Sequence, residues 1–182
     1  ALPSFTAAYD GFINGDSATN LDTPVSLNTA ATPGSPVGSY AINAGGTADA
    51  NYDITHVNGT LTVTAAPLTV TAGSTSKTYG AANPMFTASY SGFANGDTAA
   101  SLDTPVSLTT TATAGSGVGL YPITASGAAD VNYTISFNAG TLTVNPATLT
   151  IRADDKTKVA GAPNPTLSAS YTGFVNGDTA AA

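Results

Sequence analysis

The side chains of this sequence best suited to chemistry are oxygen ligands, and they come at fixed intervals. Asp97, Asp103, Asp130 and Asn132 recur as Asp16, Asp22, Asp49 and Asn51. Carboxylate and amide oxygens gathered at a junction between modules could bind and be stiffened by a calcium ion. Against calcium, the spacing lacks the dense acidic loop of an EF-hand, and the chain has no Glu to ligate through both oxygens. Calcium is thus a candidate, and no cofactor is required. A second chemistry is an isopeptide cross-link from Lys77, which recurs as Lys158, to Asn132 or Asn145. Such a bond needs lysine, asparagine and an acid desolvated and touching, whereas a lysine near a turn is usually at the surface. Asn145 is replaced by Thr64 in another copy, which leaves Asn132 as the better acceptor. The single histidine, His56, has Phe137 at the matching position. A catalytic imidazole needs a nucleophile and an orienting acid, and would not be exchanged for phenylalanine in a sister module. No catalytic residue is expected, and the chain is not read as an enzyme.

The acidic positions belong to a repeated Asn-Gly-Asp segment, Asn14-Gly15-Asp16, Asn95-Gly96-Asp97 and Asn176-Gly177-Asp178. Asn and Gly tolerate positive φ and Asp bonds its own backbone, so the segment reads first as a corner. The "TAAS" that follows Asp97 suits a short helical turn with Asp97 as its N-cap.

Phe12, Phe93 and Phe174 stand 81 residues apart, so the chain is one building block seen in three windows. Residues 66–146 form one complete unit. Residues 1–65 match 82–146 and lack the 16-residue opening of a unit, while 147–182 match 66–101 and hold the opening without the body. Within the complete unit, Leu68 and Val70 alternate with Thr69 and Thr71, and the same period of two runs through Phe86, Ala88 and Tyr90, Val106 and Leu108, and Tyr121, Ile123 and Ala125. Alternation of this kind gives strands with one buried and one wet face. Tyr133, Ile135 and Phe137 stand opposite Leu142 and Val144 across Asn138 to Gly140, which reads as a hairpin. Six or seven short strands are expected per unit, with Leu68, Val70, Phe86, Tyr90, Phe93, Leu108, Tyr121, Ile123, Tyr133, Ile135, Leu142 and Val144 facing inward. Tyr40 and Tyr121, each following a Gly-X pair, suit a corner in which the phenol bonds back to backbone.

Composition narrows the function classes. The chain has no cysteine, so disulfides and thiolate metal sites are excluded. With four Lys and Arg against 11 acidic residues and a net charge of −7, it would be repelled by phosphate backbones and anionic membranes. Nucleic acid is not an expected partner. No run of about 20 apolar residues could span a bilayer, and no leader precedes the first repeat, so any secretion signal is expected outside this sequence. Only Asn145, Pro146, Ala147 and Thr148 separate one unit's last strand from the next unit's first, too few free dihedrals for a flexible tether. The modules are therefore expected to stack end to end.

The stretches "SKTYGAANPMFTASYSGFANGDTAASL" and "VGLYPITASGAADVNYTISFNAGTLTVNPA" resemble the MBG domain, a repeat of long bacterial surface proteins and adhesins, in particular the type marked by a Tyr-Gly pair, here Tyr79-Gly80. The third window departs from it, with Ala160 in place of the tyrosine. The resemblance implies a non-catalytic extracellular stalk module with an immunoglobulin-like fold. The fold expectation is all-β, tandem immunoglobulin-like sandwiches, with a β-grasp-like module as the alternative if "GDTAAS" forms a longer helix. The functional expectation is a structural spacer of a secreted adhesin or extracellular fibre at the bacterial surface. Its partners would be neighbouring repeats, in the same chain or in other copies, joined head to tail by strand complementation. The alternative is an adhesin module that itself recognises a glycan or host protein.

Overall fold

The computed structural model describes residues 2–181. Among these residues the period-two alternation becomes twelve strands: β1 Ser26–Thr29, β2 Gly38–Gly45, β3 Gly59–Val63, β4 Ala66–Ala72, β5 Thr75–Thr78, β6 Ala88–Ser91, β7 Ser107–Thr110, β8 Gly119–Ser126, β9 Tyr133–Asn138, β10 Gly140–Asn145, β11 Thr150–Ala153 and β12 Ala169–Thr172. Among the described residues the helical content is two 3-10 turns, Ala18–Asn20 and Ala99–Ser101. The longer helix on which a β-grasp-like module depended does not form. The turn at Ala99–Ser101 is also capped differently from expectation: its N-cap is Thr98, whose N–H donates to Ser101 Oγ at 3.1 Å, because the Asp97 carboxylate is engaged elsewhere.

The chain gathers into two compact units. One holds Ala1–Pro67 with Gly92–Asp103 and Asp130–Thr134; the other holds Leu68–Ser91, Thr104–Ala129 and Ile135–Ala182. The first contains the sheet β1-β2-β3, antiparallel throughout, with β3 at its edge. The second has its core where β4 and β6 face β7, β8 and β10. Val70 and Ala72 pack there with Ala112, Ile123, Ala125 and Leu142, closed by partly buried residues that include Phe86, Tyr90, Leu108 and Ile135. This is sandwich packing, in which inward side chains of two sheets interdigitate.

The opening segment is the part that ties the sheets together. β4 is the middle strand of the sheet β6-β4-β9, and after a break at Gly73 and Ser74 the chain crosses to become β5, the edge of β5-β10-β8-β7. β5 pairs with β10 in parallel, Leu142 opposite Thr75 and Val144 opposite Lys77. Leu68 and Val70 are 1% and 0% exposed, so this one segment fills the centre of one layer and the rim of the other.

The hairpin expected at Asn138 to Gly140 is corrected by the topology. β9 lies beside β4, whereas β10 pairs with β8 and β5 in the other sheet. Ile135 thus packs against the core that holds Leu142 from a different layer. A period of two marks which residues point inward and carries no information about which sheet holds the strand. Gly140 makes the crossing possible: a Cβ there would meet the carbonyl oxygens of Ala72 at 2.5 Å and Gly73 at 2.7 Å.

Candidate functional site

The Asn-Gly-Asp corner is built the same way each time it occurs. Asn14, Asn95 and Asn176 hold φ of 57°, 55° and 54°, the left-handed region that Asn enters at small cost. The turn then places Asp97 under a tyrosine. Tyr133 donates its phenol hydrogen to Asp97 Oδ2 at 2.6 Å and accepts from the Ala94 N–H at 3.0 Å, while Phe93 stands edge-on to its ring at 5.7 Å. The hydrogen bond to Asp97, aided by burial, raises the Tyr133 phenol above its ordinary pKa. Tyr52 repeats the clasp with Asp16 Oδ2 at 2.7 Å and the Ile13 N–H at 3.2 Å. There the Ile13 backbone bond lowers the phenol pKa, and the Asp16 bond with burial outweighs it, so the net direction is again upward.

The other proposed calcium ligands have backbone partners. Asp103 Oδ2 accepts from the Val131 N–H and Asp130 Oδ1 from the Asn132 N–H; in the first repeat Asp22 accepts from Ala50 and Asp49 from Asn51. Among the described residues no three His, Cys, Asp or Glu side chains gather as a metal site would need. Each of these carboxylates thus serves its own loop as a hydrogen-bond acceptor.

Asn132 has a role that the sequence did not disclose. Its Oδ1 accepts from the Val37 N–H of the first repeat at 3.0 Å, and its carbonyl accepts from the Ala66 N–H that opens the middle repeat at 2.9 Å. One residue thereby holds both the loop and the linker at this joint. Gly34 adds to it, the position of a Cβ there lying 4.0 Å from the Asn95 amide carbon. At the next joint Val175, the residue before Asn176, packs against Gly80, where any Cβ would lie 2.7 Å from the valine. The glycine of the Tyr-Gly pair is therefore a seat for the following repeat's corner.

Lys77 corrects the expectation of a surface lysine. It is 7% exposed, and its Nζ donates to the carbonyls of Ala81 at 3.0 Å and Thr113 at 2.5 Å. Burying an ammonium is tolerated only where hydrogen bonds replace its water. The signal was present in the parity of β5, where Lys77 shares the inward face of Thr75. Lys158, its counterpart, is exposed and bonded to Asn164 Oδ1 at 2.8 Å. His56 lines a cleft of about 530 Å³ in the first repeat, together with Tyr9, Phe12, Tyr52 and Ile54. The tyrosine corners form as expected, Tyr40 donating to the Pro36 carbonyl and Tyr121 to the Gly117 carbonyl, both at 2.9 Å.

The family model described as "MBG domain (YGX type)" matches residues 1–62, 68–143 and 149–182. No match was found among curated proteins or solved structures. Among the described residues no helix is long and apolar enough to cross a membrane.

Proposed function

The chain belongs to the MBG domain family of YGX type, and from that premise we propose that it is a non-catalytic spacer of a bacterial surface adhesin or extracellular fibre, its repeats joined head to tail by strand complementation. MBG domains occur in surface proteins, which supports an extracellular place for it. The observation that carries the spacer reading is the use made of the repeated polar side chains. Asp16 and Asp97 hold the corners and Asn132 holds the joint, so these repeated polar side chains serve the fold. A rod repeats such devices, while a recognition site varies them.

The rival reading, a module that binds a glycan or host protein, draws on the exposed rings of Tyr9 and Tyr171. Their counterpart Tyr90 packs against the core of the middle repeat, so the exposure follows from missing layers in the outer repeats. Two measurements test the proposal. Glycan-array and host-protein panels should give no binding at micromolar affinity, and specific binding would replace the spacer with an adhesin module. Light scattering across a concentration series should show growth without a defined stoichiometry, since a head-to-tail contact need not close. A monomer at all concentrations would remove strand complementation from the proposal.

A further inference from the structure

In the complete repeat the opening and closing segments run in the same direction in both layers. β5 pairs with β10 in parallel, from Thr75 opposite Leu142 to Thr78 opposite Asn145. In the other sheet β4 lies beside β9, where Thr69 meets Ser136 and Thr71 meets Asn138, so this pair is parallel too. The chain enters the repeat at the start of β4 and leaves it at the end of β10, with a further repeat joined on either side. Tension passed along the chain therefore pulls the opening segment by its N-terminal end and the closing segment by its C-terminal end. In a parallel pair those ends lie at opposite ends of the ladder, so the strands are driven past one another and all their bonds are loaded at once. An antiparallel pair would bring the two loaded ends together and open one bond at a time.

We infer that the complete repeat is a module for carrying tension, in which β4 with β9 and β5 with β10 form two shear ladders and Lys77 pins the opening segment across its sheet. The inference deepens the spacer reading above by naming the load that the spacer carries.

Side chains and backbone extend both ladders. Beyond the paired residues of β5, Ser74 Oγ accepts from the Thr141 N–H at 3.0 Å and the Tyr79 N–H donates to the Asn145 carbonyl at 2.8 Å. In the other layer Ser136 Oγ donates to the Leu68 carbonyl at 3.4 Å and Asn138 Nδ2 to Thr71 Oγ1 at 3.3 Å. β5 is an edge strand with a single ladder to hold it, and Lys77 supplies a second hold. Its buried ammonium donates to the Ala81 carbonyl at 3.0 Å and to the carbonyl of Thr113, which follows β7 at the opposite edge of the same sheet. Asn83 repeats the tie, its Nδ2 donating to the Ala112 carbonyl at 2.6 Å. Methionine would fill the space of Lys77 without desolvating a charge, so what lysine adds here is its directional bonds.

The test stretches single full-length chains, in which the absence of native cysteine lets one engineered thiol set the point of attachment. Pulling between the two termini loads the ladders in shear. Pulling between the N-terminus and Val131→Cys, an exposed position just before β9, peels them instead, because the start of β4 is bonded to Asn132. In the first geometry the repeat is recognised by the release of its 81 residues, about 270–290 Å less the folded span. At one loading rate, shear should need the higher force. Forced unfolding follows the unfolding rate, and at one force Lys77→Met should unfold at least about tenfold faster in shear and at the parent's rate in peeling. Should Lys77→Met not fold, Asn83→Ala at an exposed position carries the comparison, with at least about threefold acceleration expected in shear alone. Equal rupture forces in the two geometries would overturn the inference and leave the spacer reading intact, whereas ligand binding in the panels above would remove the spacer and leave the ladders standing. A variant that accelerates both geometries alike would mark a general loss of stability and overturn the pin.

Discussion

Asn95 occupies a backbone conformation that costs most L-residues about 1–2 kcal/mol, at φ 55°. Asn95→Gly should therefore be close to neutral, while Asn95→Val should lose at least about 1 kcal/mol in urea unfolding. Tyr133→Phe removes a hydrogen bond to a carboxylate and should cost about 1.5–3 kcal/mol at neutral pH. It should also change the alkaline limb of stability. Below pH about 10 the phenol is protonated in the folded and unfolded chains alike, and its contribution is complete. Because the folded phenol is raised, the unfolded chain ionises first as pH increases, and stability falls until the folded group ionises too. The Phe variant should lose less stability than the parent between pH 9 and pH 11, measured by urea unfolding at each pH. Calcium or EDTA should leave the melting temperature unchanged, since Asp97, Asp103 and Asp130 already serve the protein's own donors. A calcium-dependent rise would restore the metal reading of the corner.

Among the elements, β4 and β5 matter most, because they are one segment shared between two layers. The pair of glycines that faces its path gives a contrast between repeats. Gly140→Ala must push a methyl into two carbonyl oxygens, and should destabilise by about 3 kcal/mol, the upper end for overpacking, because backbone cannot yield as a side chain can. Gly59→Ala meets only Ile42 at ordinary contact distance, so its melting temperature at low concentration should match that of the parent. If Gly59→Ala melts as early as Gly140→Ala, the two glycines do not differ in the way their surroundings indicate.

For the whole molecule, the head-to-tail association proposed above predicts a stability that depends on concentration. A partner that binds only the folded state adds RT ln(1 + [L]/Kd), about 1.4 kcal/mol for each tenfold excess over Kd. The melting temperature should rise with chain concentration, and a value that stays constant would count against the association.

Composition and the 81-residue period determined the all-β class and the repeat architecture, because alternation of apolar and polar residues dictates strands with one buried face whatever their partners. The inward set was legible for the same reason: Leu68, Val70, Ile123, Leu142 and Val144 are the most fully buried side chains. The Asn-Gly-Asp turn was legible as well, since positive φ is a local property of Asn and Gly. Other features depended on which strands become neighbours, and only the tertiary structure decided them. It separated β9 and β10 into different sheets, although a short turn between alternating runs looks the same whether it closes a ladder or crosses a sandwich. It buried Lys77, because carbonyls 4 and 36 residues away happen to replace its water. It made Asn132 a joint residue through a partner 95 positions distant, a contact that no local pattern encodes.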